Sequence, residues 1–102
     1  MRIIKRATLA ACWRRHPNAE HGLLYWHRVA KRARWTCLQD VRETFPHADA
    51  VKVASDRHVV VFNIAGNAYR LITAIHYNRQ SVFTLMVLTH AEYNKEKWKD
   101  VL

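Results

Sequence analysis

Residues Val59–Tyr93 read VVVFNIAGNAYRLITAIHYNRQSVFTLMVLTHAEY, and this stretch decides the fold. It contains three runs rich in β-branched and aromatic residues, and turn-forming residues close each run. The pattern predicts strands over Val59–Ile64, Ala68–Tyr77 and Val82–Thr89. Short loops of small and polar residues separate them, so the stretch forms two hairpins in series, an antiparallel meander.

Upstream of the meander the apolar residues recur three and four positions apart, which predicts helices. The first helix runs from Thr8 and ends at or before His16, because Pro17 follows it. The second begins near Asn18, a favourable N-cap residue. The third begins at Thr36, where the sequence TCLQ matches a capping box, and closes at Pro46.

Shorter elements flank these segments. Met1–Lys5 contains a β-branched pair beside charged residues and is predicted to be a short edge strand. Val51–Val53 is predicted to be extended, and His90–Asp100 to form a loop or one or two helical turns. The fold class is therefore α+β, with an N-terminal strand and two to three helices packed on one face of the meander. Residues 1–102 form a single domain whose opposite sheet face is partly open.

The composition indicates an anionic partner. The chain has 102 residues and carries a formal charge of +9, which favours binding to a polyanion or to an acidic protein. Cys12 and Cys37 lack CxxC spacing, as expected for a reducing cytosol. We find no apolar run long enough to cross a bilayer and no apolar signal-peptide core after Met1, so we expect a cytoplasmic protein.

Several polar residues interrupt the apolar pattern of the meander. Arg70 alternates with Leu71 in the second strand, so it points to the sheet face opposite the better core face. Its guanidinium can bind two phosphate oxygens at once. The alternative is a surface arginine paired with a carboxylate, but carboxylates are scarce, with 8 Asp and Glu against 17 Lys and Arg. This imbalance favours a functional arginine.

Two further candidates follow the last strand. His90 stands at the strand exit, and imidazoles take up and release protons near neutral pH. Tyr93 lies beside it if the segment forms a helical turn, and a tyrosine can stack a base or donate a proton. The alternatives are a histidine that hydrogen-bonds to a turn and a tyrosine that only packs. Glu92 could act as a base or could orient His90, and the sequence does not separate these roles.

The remaining candidates would contact RNA. Basic tracts are ordinarily solvated helix faces, but their excess of one sign favours phosphate contacts. For Asn63 and Asn67, hydrogen bonding within the hairpin turn is an equally good alternative to RNA contact. The predicted RNA-binding residues are Asn63, Asn67, His76, Glu92, Lys95, Lys97, Arg57, Lys31 and Arg32. No histidine or cysteine has zinc-ligand spacing, and phosphate-loop and serine-hydrolase motifs are missing, so we expect no metal and no cofactor.

Two motifs resemble a known family. Val61–Ile72 reads VFNIAGNAYRLI and Thr89–Lys95 reads THAEYNK, and both are similar to the HigB branch of the RelE-like toxins. That family's pattern is a strand ending in FN, a hydrophobic residue and GGN, then an arginine in the next strand, and a third strand closed by THxEYD. Ala65 replaces the first glycine and Asn94 replaces the aspartate. The substitution at Ala65 predicts that only Gly66 or Asn67 needs a positive φ.

The resemblance implies a RelE-like fold and a ribosome-dependent mRNA endonuclease toxin of a toxin–antitoxin module. Cleavage would occur in the ribosomal A site by 2′-OH attack without a metal. The motif positions assign the catalytic role to Arg70, His90 and Tyr93. The resemblance also implies a cognate helix-turn-helix antitoxin, similar to HigA, which alone would bring the complex to operator DNA. The residues themselves leave two other readings open: a non-catalytic RNA-binding module and a basic subunit that docks an acidic protein.

Overall fold

The computed structural model describes all residues, 1–102, and is built on one five-stranded sheet. The order across the sheet is β1-β5-β4-β3-β2. Strands β2 to β5 pair with one another in antiparallel fashion, and β1 pairs in parallel with β5 at one edge. The strands are β1 Arg2–Ile4, β2 Asp49–Lys52, β3 His58–Ile64, β4 Tyr69–His76 and β5 Ser81–Thr89. The predicted meander and the predicted N-terminal edge strand are confirmed.

Four α-helices accompany the sheet: α1 Ala7–Arg15, α2 Glu20–Arg32, α3 Leu38–Thr44 and α4 His90–Asn94. Three short 3₁₀ turns span Pro17–Ala19, Tyr77–Arg79 and Lys97–Val101. The predicted α+β fold class is confirmed, and the segment after Thr89 forms the helical turns that its polar sequence allowed. None of these helices has the length and apolar character that a transmembrane span requires.

The predicted caps of two helices are wrong. Pro17 starts a 3₁₀ turn before α2, so Ala19 rather than Asn18 holds the cap position. At α3 the cap is Cys37, and no Thr36–Gln39 capping box forms. The carboxylate of Asp40 instead accepts hydrogen bonds from the Thr36 hydroxyl at 2.6 Å and the Thr36 backbone N–H at 2.8 Å. These two bonds lower the pKa of Asp40.

The main core lies between the helices and one face of the sheet. Helix α2 presents Leu23, Trp26 and Ala30 to this face, at the spacing of one helical stripe. Trp26 meets Phe62 of β3 edge-on, with ring centroids 5.3 Å apart. Leu71 of β4 is fully buried in the same cluster, as strand alternation predicts. This face therefore contains most of the buried apolar surface of the domain.

The second face is less open than the sequence indicates. It carries its own cluster of Val53, Val59, Val61, Ile72 and Trp98, all buried. The C-terminal 3₁₀ turn brings Trp98 back over the sheet, where the backbone N–H of Ala54 donates to the Lys99 carbonyl at 3.0 Å. A register shift between Ile72 and Thr73 places an additional residue on β5, so Leu85 and Met86 both pack against this cluster. Only part of the second face is left exposed.

The hairpin between β3 and β4 differs from its prediction. Ala65 has φ +53° and Gly66 has φ +69°, whereas Asn67 is not in the left-handed region. The expectation that only Gly66 or Asn67 needs a positive φ is therefore wrong. An alanine in this region places its Cβ close to the following carbonyl oxygen, which costs about 1–2 kcal/mol. The loop thus keeps a glycine-type backbone at a position that holds alanine.

We expect Ala65→Gly to raise the free energy of unfolding by roughly 0.5–1 kcal/mol, because relief of the left-handed strain exceeds the added chain entropy of a glycine. Urea unfolding followed by circular dichroism measures the change. The matched control is Ala68→Gly in the same loop, where φ is not positive and the glycine should destabilise. A loss of stability in Ala65→Gly equal to that in the control would contradict the strain argument.

Candidate active site

The candidate site lies at one end of the sheet, where β3 ends, β4 begins and β5 ends. Ile64 pairs with Tyr69, and Tyr69 pairs with Thr89, so the meander brings these three strand ends together. One step along, Arg70 pairs with Asn63 on one side and with Leu88 on the other. Its side chain lies on the second face, as strand alternation predicts. We call this end of the molecule the Arg70 end.

Arg70 is held without a carboxylate partner. Its Nη1 donates to the Asn67 carbonyl at 3.0 Å, and its Nη2 lies 3.2 Å from Nδ1 of His90. The three ion pairs of the protein are Arg42–Asp49, Lys52–Asp56 and Lys99–Glu96. Arg70 is therefore not the surface arginine of an ion pair, and its positive charge is available to an incoming anion.

The contact between Arg70 and His90 indicates which tautomer the imidazole adopts. A guanidinium has only hydrogen-bond donors, so Nδ1 of His90 must accept this bond and carry no proton. The neutral ring then bears its proton on Nε2. His90 is exposed and is the first residue of α4, and its backbone N–H donates to the Ala68 carbonyl at 3.0 Å. The proton-accepting nitrogen is thus occupied by Arg70 as long as this contact is made.

Tyr93 completes the cluster. The Cζ of Arg70 lies 5.4 Å from the centre of the Tyr93 ring, a cation–π distance. Trp98 stacks on the same ring at 5.3 Å with an interplanar angle of 20°, and its Nε1 donates to the Tyr93 carbonyl at 3.1 Å. Arg70 and Trp98 therefore both lie against the tyrosine ring. Base stacking on this ring is therefore disfavoured, and the hydroxyl is the group that Tyr93 can offer.

A capping box orients the helix that carries His90 and Tyr93. The Thr89 backbone N–H donates to the Glu92 carboxylate at 2.9 Å, and the Glu92 N–H donates to the Thr89 hydroxyl at 3.2 Å. The bond from the Thr89 backbone is the main reason that the pKa of Glu92 is lowered. Glu92 forms no ion pair with Arg70. The structure gives Glu92 a role in placing α4.

Besides Glu92, four of the nine predicted RNA-binding residues lie at or near the Arg70 end. Asn63 donates through Nδ2 to Oδ1 of Asn67 at 3.2 Å across the hairpin, which places both amides beside Arg70. Lys95 and Lys97 follow α4 directly, are exposed and form no ion pair. The hairpin bond also shows that the asparagines stabilise their own turn.

The other four are not brought to the Arg70 end. His76 ends β4, about 20 Å of strand away from Arg70, and its ring meets Phe83 at 5.2 Å. Arg57 precedes β3 at the same far end. Lys31 and Arg32 close α2 and line a depression together with Arg79, which precedes β5. Arg57, Lys31 and Arg32 are positively charged, as the site is. All four residues nevertheless belong to a different region of the surface.

Sequence reasoning missed two residues near the site. Trp98 was not selected, although a tryptophan in the otherwise polar tail EYNKEKWKD signals a buried contact. His16 lies beside Tyr69, with ring centroids 5.5 Å apart, and its charge contributes to lowering the pKa of Glu92. The helical pattern around His16 carried no sign of this long-range contact. Trp98 stacks on Tyr93, and His16 adds a second imidazole near the Arg70 end.

Known proteins are similar in sequence to this chain along most of its length. A family model for HigB_toxin, the RelE-like toxic component of a toxin–antitoxin system, matches residues 19–96. The chain is 30% identical over 95 residues to the mRNA interferase HigB of Escherichia coli O6:H1 (strain CFT073), covering 93% of this chain and 90% of that protein. It is 24% identical over 94 residues to the mRNA interferase HigB of Shigella flexneri, covering 92% and 88% of the two chains. The motifs of the Arg70 end lie within the matched residues.

Proposed function

The chain belongs to the HigB family of RelE-like toxins, and from this premise we propose that it cuts mRNA on the ribosome at the Arg70 end. As a member of this family it is an endoribonuclease, an mRNA interferase of a toxin–antitoxin system. The observation that carries the assignment of the site is the position of His90 and Tyr93 against Arg70, which has no carboxylate partner.

The proposed reaction is attack of the 2′-oxygen on the adjacent phosphorus. A base takes the 2′-OH proton, the new O–P bond forms as the P–O5′ bond breaks, and the departing 5′-oxygen takes up a proton. Charge accumulates on the phosphoryl oxygens, and a fixed guanidinium stabilises such charge strongly. We assign this role to Arg70, which would supply the positive charge from the protein itself. We therefore propose cleavage without a metal or a cofactor.

Substrate binding would also release the base. While Nη2 of Arg70 donates to Nδ1 of His90, that nitrogen cannot accept a proton. A phosphate that draws the guanidinium to itself frees Nδ1, which can then take the 2′-OH proton. The Tyr93 hydroxyl is the proton donor that we propose for the leaving 5′-oxygen, since Trp98 and Arg70 already contact its ring. The base would thus become available only when RNA is bound.

The surroundings of the site support a polyanionic substrate and a masking partner. Only three of the 17 lysine and arginine side chains form an ion pair. We propose that mRNA in the ribosomal A site is the target, and that Asn63, Asn67, Lys95 and Lys97 contact its backbone. We further propose neutralisation by a cognate helix-turn-helix antitoxin of the HigA kind, through which the complex reaches operator DNA. Both events would take place in the cytoplasm.

Induced expression in a bacterial host tests this function. We expect growth arrest, with new mRNA 5′ ends inside translated codons, and we expect co-expression of the gene encoding the antitoxin to restore growth. Mapping of mRNA 5′ ends after induction measures the cleavage. The control is a transcript whose start codon is removed, which ribosomes do not translate and which should stay intact. Accumulation of the folded protein with unchanged growth and unchanged 5′ ends would refute the enzyme and favour an RNA-binding module.

A further inference from the structure

A second basic region lies at the end of the sheet opposite Arg70. It is a depression of about 740 Å³ between the end of α2, the start of β1 and the turn before β5. Its basic lining residues are Arg2, Lys31, Arg32, Arg34 and Arg79, and we call this depression the distal basin. Strand β4 spans the distance between the two regions, roughly 25 Å for eight residues. A phosphate in the distal basin is therefore not the phosphate that is cleaved.

The charges of the distal basin are not compensated within the protein. All five side chains are exposed, none belongs to one of the three ion pairs, and none makes a hydrogen bond. No aspartate or glutamate lines the depression. Two neighbouring depressions extend the basic surface along α2 through Arg6 and Arg28. Five like charges around one depression repel each other, which favours binding of an anion from outside.

The walls of the distal basin are tied together by Gln80. Its Nε2 donates to the Trp35 carbonyl at 2.7 Å and to the Tyr77 carbonyl at 3.0 Å. Its own carbonyl accepts a hydrogen bond from the backbone N–H of Arg2 at 2.6 Å. These bonds link the segment after α2, the turn after β4 and strand β1. The backbone that carries the basic side chains is thus fixed before any ligand binds, which lowers the entropic cost of binding.

We propose that the distal basin binds the phosphodiester backbone of folded RNA and holds the toxin on the ribosome while the Arg70 end reaches the mRNA. This inference rests on the proposed function for the identity of the RNA. Four of the five basic residues are arginines, whose planar forks match phosphate oxygens. An acidic protein is the less favoured ligand, since the depression offers no aromatic anchor of the kind found at the centre of protein interfaces, and Met1 and Ala33 are its only hydrophobic lining residues.

The test compares two double variants of equal charge. Arg32→Ala with Arg79→Ala removes two charges from the distal basin, and Lys5→Ala with Arg14→Ala removes two exposed charges elsewhere that likewise form no ion pair. Fluorescence-labelled proteins are titrated with purified bacterial 70S ribosomes at several salt concentrations, in an Arg70→Ala background that prevents cleavage. We expect the basin variant to lose roughly 1.4–1.8 from the slope of log affinity against log salt, about 0.7–0.9 per phosphate contact. The control should keep the wild-type slope.

Cleavage kinetics separate this proposal from the proposed function. With Arg70 intact, the basin variant should need about tenfold more ribosomes for half-maximal cleavage of a translated mRNA, with an unchanged rate at saturation. Equal salt slopes and equal affinities in the two double variants would overturn the distal basin as an RNA site, even if the protein cuts mRNA. Loss of antitoxin binding with unchanged ribosome binding would overturn it in favour of an acidic protein. Reduced ribosome binding by the basin variant alone supports it, even if the wild type cuts no mRNA.

Discussion

Replacing Arg70 by alanine is expected to reduce mRNA cleavage by about 10²–10³ and to abolish growth arrest, because one fixed donor to a charged transition state is worth this much. The fold should survive the change. Arg70 is only half-buried, lies on the face away from the main core, and donates to two carbonyls and one imidazole at one end of the sheet. Single-turnover cleavage of a translated mRNA measures the rate, and thermal unfolding of the purified variant checks the structure.

Three further variants make this test specific. Arg70→Lys keeps the charge but loses the fork, so it should recover only part of the rate. His90→Ala and Tyr93→Phe should each weaken cleavage less than Arg70→Ala, and Tyr93→Phe keeps the stacking on Trp98 while it removes the hydroxyl. If Arg70→Ala cleaves at the wild-type rate with unchanged stability, the Arg70 end is not the active site. The basic residues of α2 and of the C-terminal tail would then be the next candidates.

The meander was predictable because its information is local. Alternating apolar residues assign each side chain of β4 to a face, and this places Arg70 opposite Leu71 as observed. Consecutive strand ends of a meander must meet, which is why Arg70 and His90 come together although they are 20 residues apart. Strand alternation assigns a side chain to a face of the sheet, but it does not show which end of the strand lies near the site. His76 shares a face with Arg70 but lies at the far end of β4.

Other features depend on contacts that no local pattern contains. The cover over the second face comes from Trp98, whose partners Val53, Val59 and Ile72 are distant in sequence. The positive φ of Ala65 is imposed by the hairpin and not by the preference of alanine. The five side chains of the distal basin come from β1, the end of α2 and the turn before β5, so their convergence appears only in the folded chain. Sequence reasoning selected Lys31 and Arg32 but could not place them beside Arg79.

Trp98 connects the stability of the second face to the geometry of the Arg70 end. It is 6% exposed, stacks on Tyr93 and packs in the small cluster with Ile72. Tyr93 in turn lies 5.4 Å from the charged end of Arg70. Removal of the indole therefore leaves a cavity under the second face and leaves one face of Tyr93 without support. A substitution outside the proposed catalytic cluster should then affect both folding and cleavage.

We expect Trp98→Ala to lower the free energy of unfolding by about 3 kcal/mol, the lower part of the range for tryptophan truncation, because its cluster is small and near the surface. At temperatures where this variant is still folded, cleavage should fall about tenfold, since a misplaced Tyr93 weakens positioning of the reacting groups. Trp98→Phe keeps an aromatic ring against Tyr93 but loses the bond from Nε1 to the Tyr93 carbonyl, so it should cost only about 1 kcal/mol and retain most of the cleavage rate. Urea unfolding by circular dichroism and single-turnover cleavage measure the two effects. Full activity of folded Trp98→Ala would show that the ring only fills space and that Arg70 and Tyr93 hold their geometry without it.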